Sequence, residues 1–534
     1  MIQRYRLFIW LLGGVLCSAR SASQSADTGW ADIDFLRQSH AWLSSGQATG
    51  LQFVPPGKFS VANLTAQKDD GSFRNFYQSG NSYTLNASTG SFYRLNQRVV
   101  FQGKVDYEYF QGKKMSGSAL LDPYKYAVDI DEYADSTAGS KKTERYLLMG
   151  AVSAQLSRRL NLAGSINYVA ANYAKLKDLR HINKLLDLDA QAGASYQLAD
   201  RLLLGISYTY SRRIETVSFN TYGNTDRQYL SLINFGSFLG LSELKTDNYG
   251  YTAQANPFTN MRHTGALQLA WKIRAGLQFF EQISYQQRNG YYGRKGSSSV
   301  VYTEDHGKQY TSTSVLTLSK DQSIQHFKIS AAYETVDNFE NVYQISTPPG
   351  GSSVITYYGQ NKVFGQQRTT LSAEYTGFWK IKNNRPVWSV QTAFDYAART
   401  QTTVRYPYFR KQEINSFALH ASGKRNWKGK ELLYTTSIGI GYSAGSGTAR
   451  NDGLYAPPSS SQVPPASKDN YLYQEYEYFT SPRAEINPAL QIGREVNTRV
   501  FAFAKLSYIY TKAFGTIYNG SYFQRVVLNI GCYF

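Results

Sequence analysis

The chain carries six histidines, His40, His181, His263, His306, His326 and His420, the side chains best suited to proton transfer near neutral pH. None sits in a recognisable catalytic motif, and no nucleotide loop, zinc constellation or Gly-x-Ser-x-Gly turn accompanies them. Residues 112–143 hold Asp122, Asp129, Asp131, Glu132 and Asp135, oxygen ligands of the kind calcium takes. The glycine and closing glutamate of an EF-hand loop are missing, so this segment is expected to be a solvated acidic loop. The reading is therefore no catalytic residue, no metal site and no cofactor.

The remaining candidates are polar side chains that recur at every second position of otherwise apolar stretches: Asp187, Asp189, Arg213, Gln282, Arg288, Lys328, Glu334, Glu374, Asp395, Arg399, His420, Arg483 and Glu485. Facing an enclosed interior, they would line a solute path with both signs of charge. They could equally pair across the interior and only solvate it. Either role needs long strands with one greasy face and one wet face.

Such strands are present. Leu160, Leu162, Gly164, Ile166, Tyr168 and Ala170 alternate with Asn161, Ala163, Ser165, Asn167 and Val169. The pattern resumes after Ala199-Asp200 with Leu202, Leu204, Ile206, Tyr208 and Tyr210 against Gly205, Ser207, Thr209, Ser211 and Arg213. A soluble half-buried strand is normally about five or six residues long. Sustained alternation is the mark of strands with lipid on one side and a lumen on the other.

Connections fall into two classes that alternate along the chain. Short turns lie near residues 95–97, 158–159, 199–200, 274–275, 320–321, 382–384, 428–429 and 496–497. Longer segments lie at 112–143, 219–261, 290–308, 336–364 and 443–470, with shorter ones near 67–80, 176–183, 400–412 and 511–520. This predicts an all-β transmembrane antiparallel up-and-down barrel of about 18 strands (range 16–18), with short periplasmic turns and long extracellular loops. The strands near Lys58–Ala66 and Glu475–Gln491 are the weakest members, the latter because it holds Pro482 and Pro488.

Composition agrees. The 534 residues are 42% hydrophobic and 18% charged, and 44 are tyrosine, a residue suited to strands and to membrane interfaces. No apolar run after residue 16 is long enough for a membrane helix. The net charge of +19 is dispersed instead of clustered, which argues against nucleic acid as a partner. Arg4 and Arg6, the apolar run Leu7–Leu16 and the small residues Ser21-Ala22-Ser23 read as a cleaved secretory signal over 1–23. Residues 24–57 follow, with Trp30, Ile33, Phe35, Leu36 and Trp42, and are read as a lumen plug or a periplasmic tail. Ile33, Leu36 and His40 would share one helix face starting near Asp32. The barrel itself is assigned to 58–534.

The last strand alternates Val526, Leu528, Ile530, Cys532 and Phe534 with Arg525, Val527, Asn529, Gly531 and Tyr533. With the leader, it resembles the terminal strand of Gram-negative outer-membrane barrels, and the chain as a whole is similar to uncharacterised, porin-like barrels of families of unknown function. The resemblance implies location in the cell outer membrane, contact with its lipid and lipopolysaccharide, Phe534 as a signal to the barrel assembly machinery, and an uptake receptor or lipoprotein as a further partner. The expected function is solute passage or uptake across the outer membrane. A plugged barrel acting through its loops is the alternative, and a hydrolase at the barrel rim the weaker one.

Overall fold

A computed structural model describes residues 30–133, 137–222, 227–245, 250–253, 255–296, 299–351 and 353–534. The leader over 1–23, residues 24–29 and Asp135 lie outside them.

Alternating side chains build long strands because each strand can give its apolar set one environment and its polar set another. The wall begins with β1 (Lys58–Gly71), β2 (Asn81–Arg94) and β3 (Val99–Met115), and β4 (Asp129–Glu132) lies apart from it. It continues through β5 (Gly139–Gln155), β6 (Leu160–Lys175), β7 (Arg180–Ala199) and β8 (Leu202–Asn220). After β9 (Leu230–Asn234) and β10 (Leu239–Leu244), which also lie apart, come β11 (Asn256–Arg274), β12 (Leu277–Gly296), β13 (Ser299–Lys320) and β14 (Ser323–Ser346). The rest of the wall is β15 (Val354–Trp379), β16 (Trp388–Arg405), β17 (Tyr408–Lys428), β18 (Leu432–Leu454), β20 (Arg483–Glu495), β21 (Phe501–Ala513) and β22 (Tyr522–Tyr533). The short β19 (Ala466–Ser467) is not part of it.

These 18 wall strands form one antiparallel sheet, each pairing with its neighbour in the chain, and β22 returns to pair with β1 from Val61↔Tyr533 to Gly71↔Phe523. Closure leaves no free edge, as a sheet in hydrocarbon requires. Ser60 and Phe534 exchange both backbone hydrogen bonds, at 2.7 and 3.0 Å, at the seam. The outward side chains are large and apolar: Ile206, Leu267, Ile283 and Ile329 are each more than half exposed. Above them Tyr208, Tyr285, Tyr310 and Tyr333 stand in one cross-strand row, an interfacial girdle.

Three expected loops are strands instead. Residues 290–308, 336–364 and 400–412 belong to paired hairpins whose tips are only a few residues long. The 26-residue β15 far exceeds the roughly 9–11 residues that cross a bilayer. Antiparallel pairing satisfies the backbone in water as well as in lipid, so β-forming Tyr, Thr and Val carry the ladders onward. The doubtful strand also differs. Asp469–Thr480 is an α-helix, and β20 begins only at Arg483, after Pro482. Pro488 does lie within β20, where the ladder to β18 is continuous but the ladder to β21 skips Asn487 and Pro488.

Candidate functional site

At the short-turn end, the residues before β1 occupy the lumen. Asp32 accepts the Asp34 and Phe35 backbone N–H groups at 3.0 and 3.1 Å and so starts α1 (Ile33–Gln38). The helix stops there. His40 is extended, and its Nδ1 accepts the Trp42 N–H at 3.2 Å, opening a separate turn, α2 (Ala41–Ser44). His40 is therefore a cap and not a member of the Ile33/Leu36 face. An acceptor nitrogen must be unprotonated, and burial, with His326 and Lys272 nearby, lowers His40 to about 4.

Each expected plug residue has a seat on the wall. Ile33 and Leu36 pack with Leu51, Phe59, Phe92 and Val100. Phe35 meets Phe378 edge-on at 5.0 Å. Trp42, with no exposed surface, packs on Leu203, Ala270, Phe280 and Val315 and donates its Nε1–H to Thr49 at 3.0 Å. Gly205 makes room for it, since a Cβ there would lie 2.6 Å from the indole. Trp30 stacks on Phe501 at 4.1 Å, donates to Glu495 at 3.0 Å and lies under the Arg385 guanidinium. Polar ties complete the seat: Asp32 to Lys424 at 3.1 Å and the Ala48 N–H to Gln191 at 2.8 Å.

The long loops close the other end. β4, β9, β10 and β19 form a second antiparallel sheet in the order β19-β10-β9-β4. Leu232, Ile233 and Phe235 in and beside it are fully buried, and Ile233 and Phe235 pack on the wall residues Val217, Phe258 and Tyr292. The helix of Asp469–Thr480, hereafter α3, lies alongside. Arg410 of β17, 1% exposed, reaches the Ser237 carbonyl at 3.2 Å and Asp469 at 3.2 Å. Such an inward fold brings charges with it. The acidic segment expected to be solvated is buried instead: the Glu132 carboxylate pairs with Lys175 at 2.6 Å and Lys141 at 3.5 Å, and both lysine side chains are wholly buried. Asp129 accepts from Ser118 at 2.7 Å and Asp131 from Asn234 at 2.8 Å. Among the described residues no group of acidic, histidine or cysteine side chains is arranged to hold a metal ion.

Burial raises the Asp129 carboxyl to about 6 and lifts Asp131 well above the usual range, the latter also through the charge of Asp129. Both folded values exceed the ordinary ~3.9, so these groups take up protons on folding. The contribution of Asp129 to the inner sheet is complete below about pH 4 and is lost as pH rises through about 6, and that of Asp131 is lost in the same direction as pH rises. Amide protection factors in β4 and β9 are expected to fall between about pH 5 and about pH 8; equal protection at both would contradict this account.

Between the closures lies a cavity of about 1010 Å³, walled by Asp187, Arg213, His420, Arg483 and Glu485 and bounded at the long-loop end by Phe73, Tyr77 and Tyr478. A second cavity of about 410 Å³ shares Tyr77, Gln78 and Tyr478 with it and is lined by Arg288, Glu334 and Arg399. Several of the expected lumen residues are paired. Arg213 binds Asp187 at 2.8 Å, and Arg262 approaches Asp187 and Asp189 at 3.9 and 3.7 Å. Arg288 binds Asp305 at 2.8 Å, and Arg399 binds Glu475 of α3 at 3.0 Å. Glu374 accepts from Thr376 and Gln391 at 2.8 and 3.0 Å, Glu485 from Thr511 at 3.3 Å, and Arg483 donates to the Tyr478 carbonyl at 2.9 Å. Lys328 stands opposite Glu374 across the β14–β15 ladder, Asp395 opposite Ser372 across β15–β16, and the Gln282 carbonyl is buried without a hydrogen-bond partner.

The sequence reading missed Glu475, Arg410, Lys141, Lys175 and the whole inner sheet. One signal was present: Leu230, Leu232, Ile233, Phe235, Phe238 and Leu239 form an apolar run inside the expected long connection 219–261, a pattern that burial accounts for.

Fold and lumen together define an 18-strand transmembrane-type β-barrel filled from both ends. By sequence the chain belongs to the Family of unknown function (DUF6850), whose model matches residues 48–534. No curated protein matches it. Among solved structures the chain is similar to BauA, the ferric preacinetobactin receptor from Acinetobacter baumannii, at 9% identity over 90% of this chain and 80% of that one, with a TM-score of 0.39. It is similar to the outer membrane transporter YddB from Escherichia coli at 8% identity over 90% and 81%, TM-score 0.41. The CymD monoaromatic hydrocarbon channel is 9% identical over 95% and 97%, TM-score 0.29.

Proposed function

We propose that this chain resides in the outer membrane, short turns toward the periplasm, and passes a small hydrophilic solute through its lumen without chemically altering it. The cavity of about 1010 Å³ between two internal closures carries the reading. Its walls bear both signs of charge, so a polar solute can exchange water contacts for protein ones. The closures make it a gated path and not an open pore: residues 30–54 guard the periplasmic end, and the inner sheet with α3 guards the outside. A second reading, a barrel that acts on a partner through its outer surface, draws support from the β14–β15 hairpin, where Tyr357 and Tyr358 are exposed at 45% and 66%.

Planar-bilayer conductance tests the proposal. The full chain is expected to conduct weakly. A variant lacking residues 30–53 should stay weak because the inner sheet remains. Removing both 30–53 and 230–244, the latter replaced by a glycine–serine linker, should raise conductance about tenfold or more, since an unfilled barrel of this strand number encloses an aqueous channel. A full chain that already conducts at the level of the double variant would refute the gated reading. Liposome-swelling assays with sugars, amino acids and dipeptides then identify the solute class.

A further inference from the structure

The eight short turns share a chemistry that the lumen does not explain. Each carries a lysine or arginine in the turn or on the strand residue beside it: Arg98 between β2 and β3, Arg158 and Arg159 between β5 and β6, Arg201 between β7 and β8, and Arg274 before β12. The series continues around the barrel with Lys320 before β14, Lys382 between β15 and β16, Lys430 between β17 and β18, and Arg499 between β20 and β21. All of these are exposed. Carboxylates in the same turns are few, and two are already engaged: Glu431 holds Arg494 at 3.2 Å, and Glu495 holds Arg385 at 3.1 Å. Among the described residues no carboxylate lies within ion-pair distance of Arg98, Arg158, Arg159, Arg274, Lys382 or Arg499.

Just beyond the turns the outward wall turns aromatic. Tyr93, Phe101, Tyr196, Trp271, Trp388 and Trp427 are between 40% and 47% exposed, the belt that marks headgroup depth. Arg425 of β17 adds a further cation within the belt, its guanidinium 4.8 Å from the Trp388 ring centre.

We infer that this basic ring binds the anionic phospholipid headgroups of the periplasmic leaflet. The inference rests on the proposed orientation in the outer membrane. Its circular distribution selects lipid over a protein partner: lipid surrounds a barrel on every side, whereas a docked protein needs charge on one sector. Phosphate oxygens accept from guanidinium and ammonium groups, and each cation near an anionic leaflet adds to the attraction.

The test uses the full chain in phosphatidylcholine bilayers with spin-labelled phosphatidylglycerol or spin-labelled phosphatidylcholine. The boundary shell is expected to favour phosphatidylglycerol about fivefold, the factor set by one basic residue beside an anionic surface, and raised salt should reduce the preference. The combined variant Arg158→Gln, Arg159→Gln, Lys382→Gln and Arg499→Gln alters only exposed turn residues. It should lose much of the preference while keeping the barrel's heat-modifiable gel mobility. Equal association of the two lipids, or a preference untouched by the four substitutions, overturns the inference. So does binding of polyglutamate to neutral-lipid nanodiscs holding the chain when no lipid preference is seen, which would assign the ring to an acidic protein. Absence of any boundary lipid would instead sink the membrane reading itself.

Discussion

Trp42→Ala is expected to unseat the closure at the short-turn end while leaving the wall intact. The indole has no exposed surface, fills the space over Gly205 and joins the Leu203, Ala270, Phe280 and Val315 cluster to α2. Truncating a buried tryptophan costs about 3–5 kcal/mol, and here the loss falls on a peripheral segment instead of the 18-strand ladder. Trypsin should cut at Arg37 more readily, amide protection over residues 33–53 should drop, and heat-modifiable mobility should persist. Gly205→Ala acts from the wall side in the same direction, at about 1–3 kcal/mol, because its methyl meets the ring. Unchanged protection over 33–53 in both variants would mean that Trp42 does not anchor the closure.

Glu132→Gln should loosen the opposite closure. The Glu132 carboxylate is the shared ion-pair partner of Lys141 and Lys175, both fully buried, and leaving buried cations short of a counter-charge costs about 3–5 kcal/mol. Asp129 and Asp131 lie beside Lys141 and can ionise to answer part of the lost charge, so the effect should be largest at acid pH, where they stay protonated. The expected readout is loss of amide protection in β4 and β9 that is greater at about pH 5 than at about pH 8. A uniform loss, or none, would break the link between the cluster and the inner sheet.

The wall was legible because lipid and lumen impose a two-residue period, and a one-residue slip inverts both faces. That constraint, repeated in stretches such as Leu202–Arg213, gave strand number and closure, but not where each outer connection begins, since residues 290–308, 336–364 and 400–412 continue the ladders. It is silent where neither face meets lipid. The weak strand expected from Glu475 begins inside a helix, Asp469–Thr480, in which Tyr471, Leu472 and Glu475 are buried, a pattern set by the lumen wall they face. The inner sheet escaped for a related reason: its apolar run is too short to fix a period, and its partners lie in other loops. Asp187, Arg213, Arg288 and Arg399 could be placed on the inward face from spacing, and Asp187 and Arg213 even fall opposite each other across β7–β8, but the Arg399 counter-ion, Glu475 of α3, depends on loop folding that spacing does not encode.

The segment before β1 precedes the entire wall in the chain, yet its ties run to the far end of the sequence. Trp30 bonds Glu495 across 465 positions and Asp32 reaches Lys424 across 392. Those docking points share one interior only after β22 has met β1, and the chain entropy of joining such distant positions is spent in closing the wall. Seating of Trp30 and Asp32 thus acts as a proof of completion, since a cylinder with an unzipped seam would offer the first-made residues nowhere to rest.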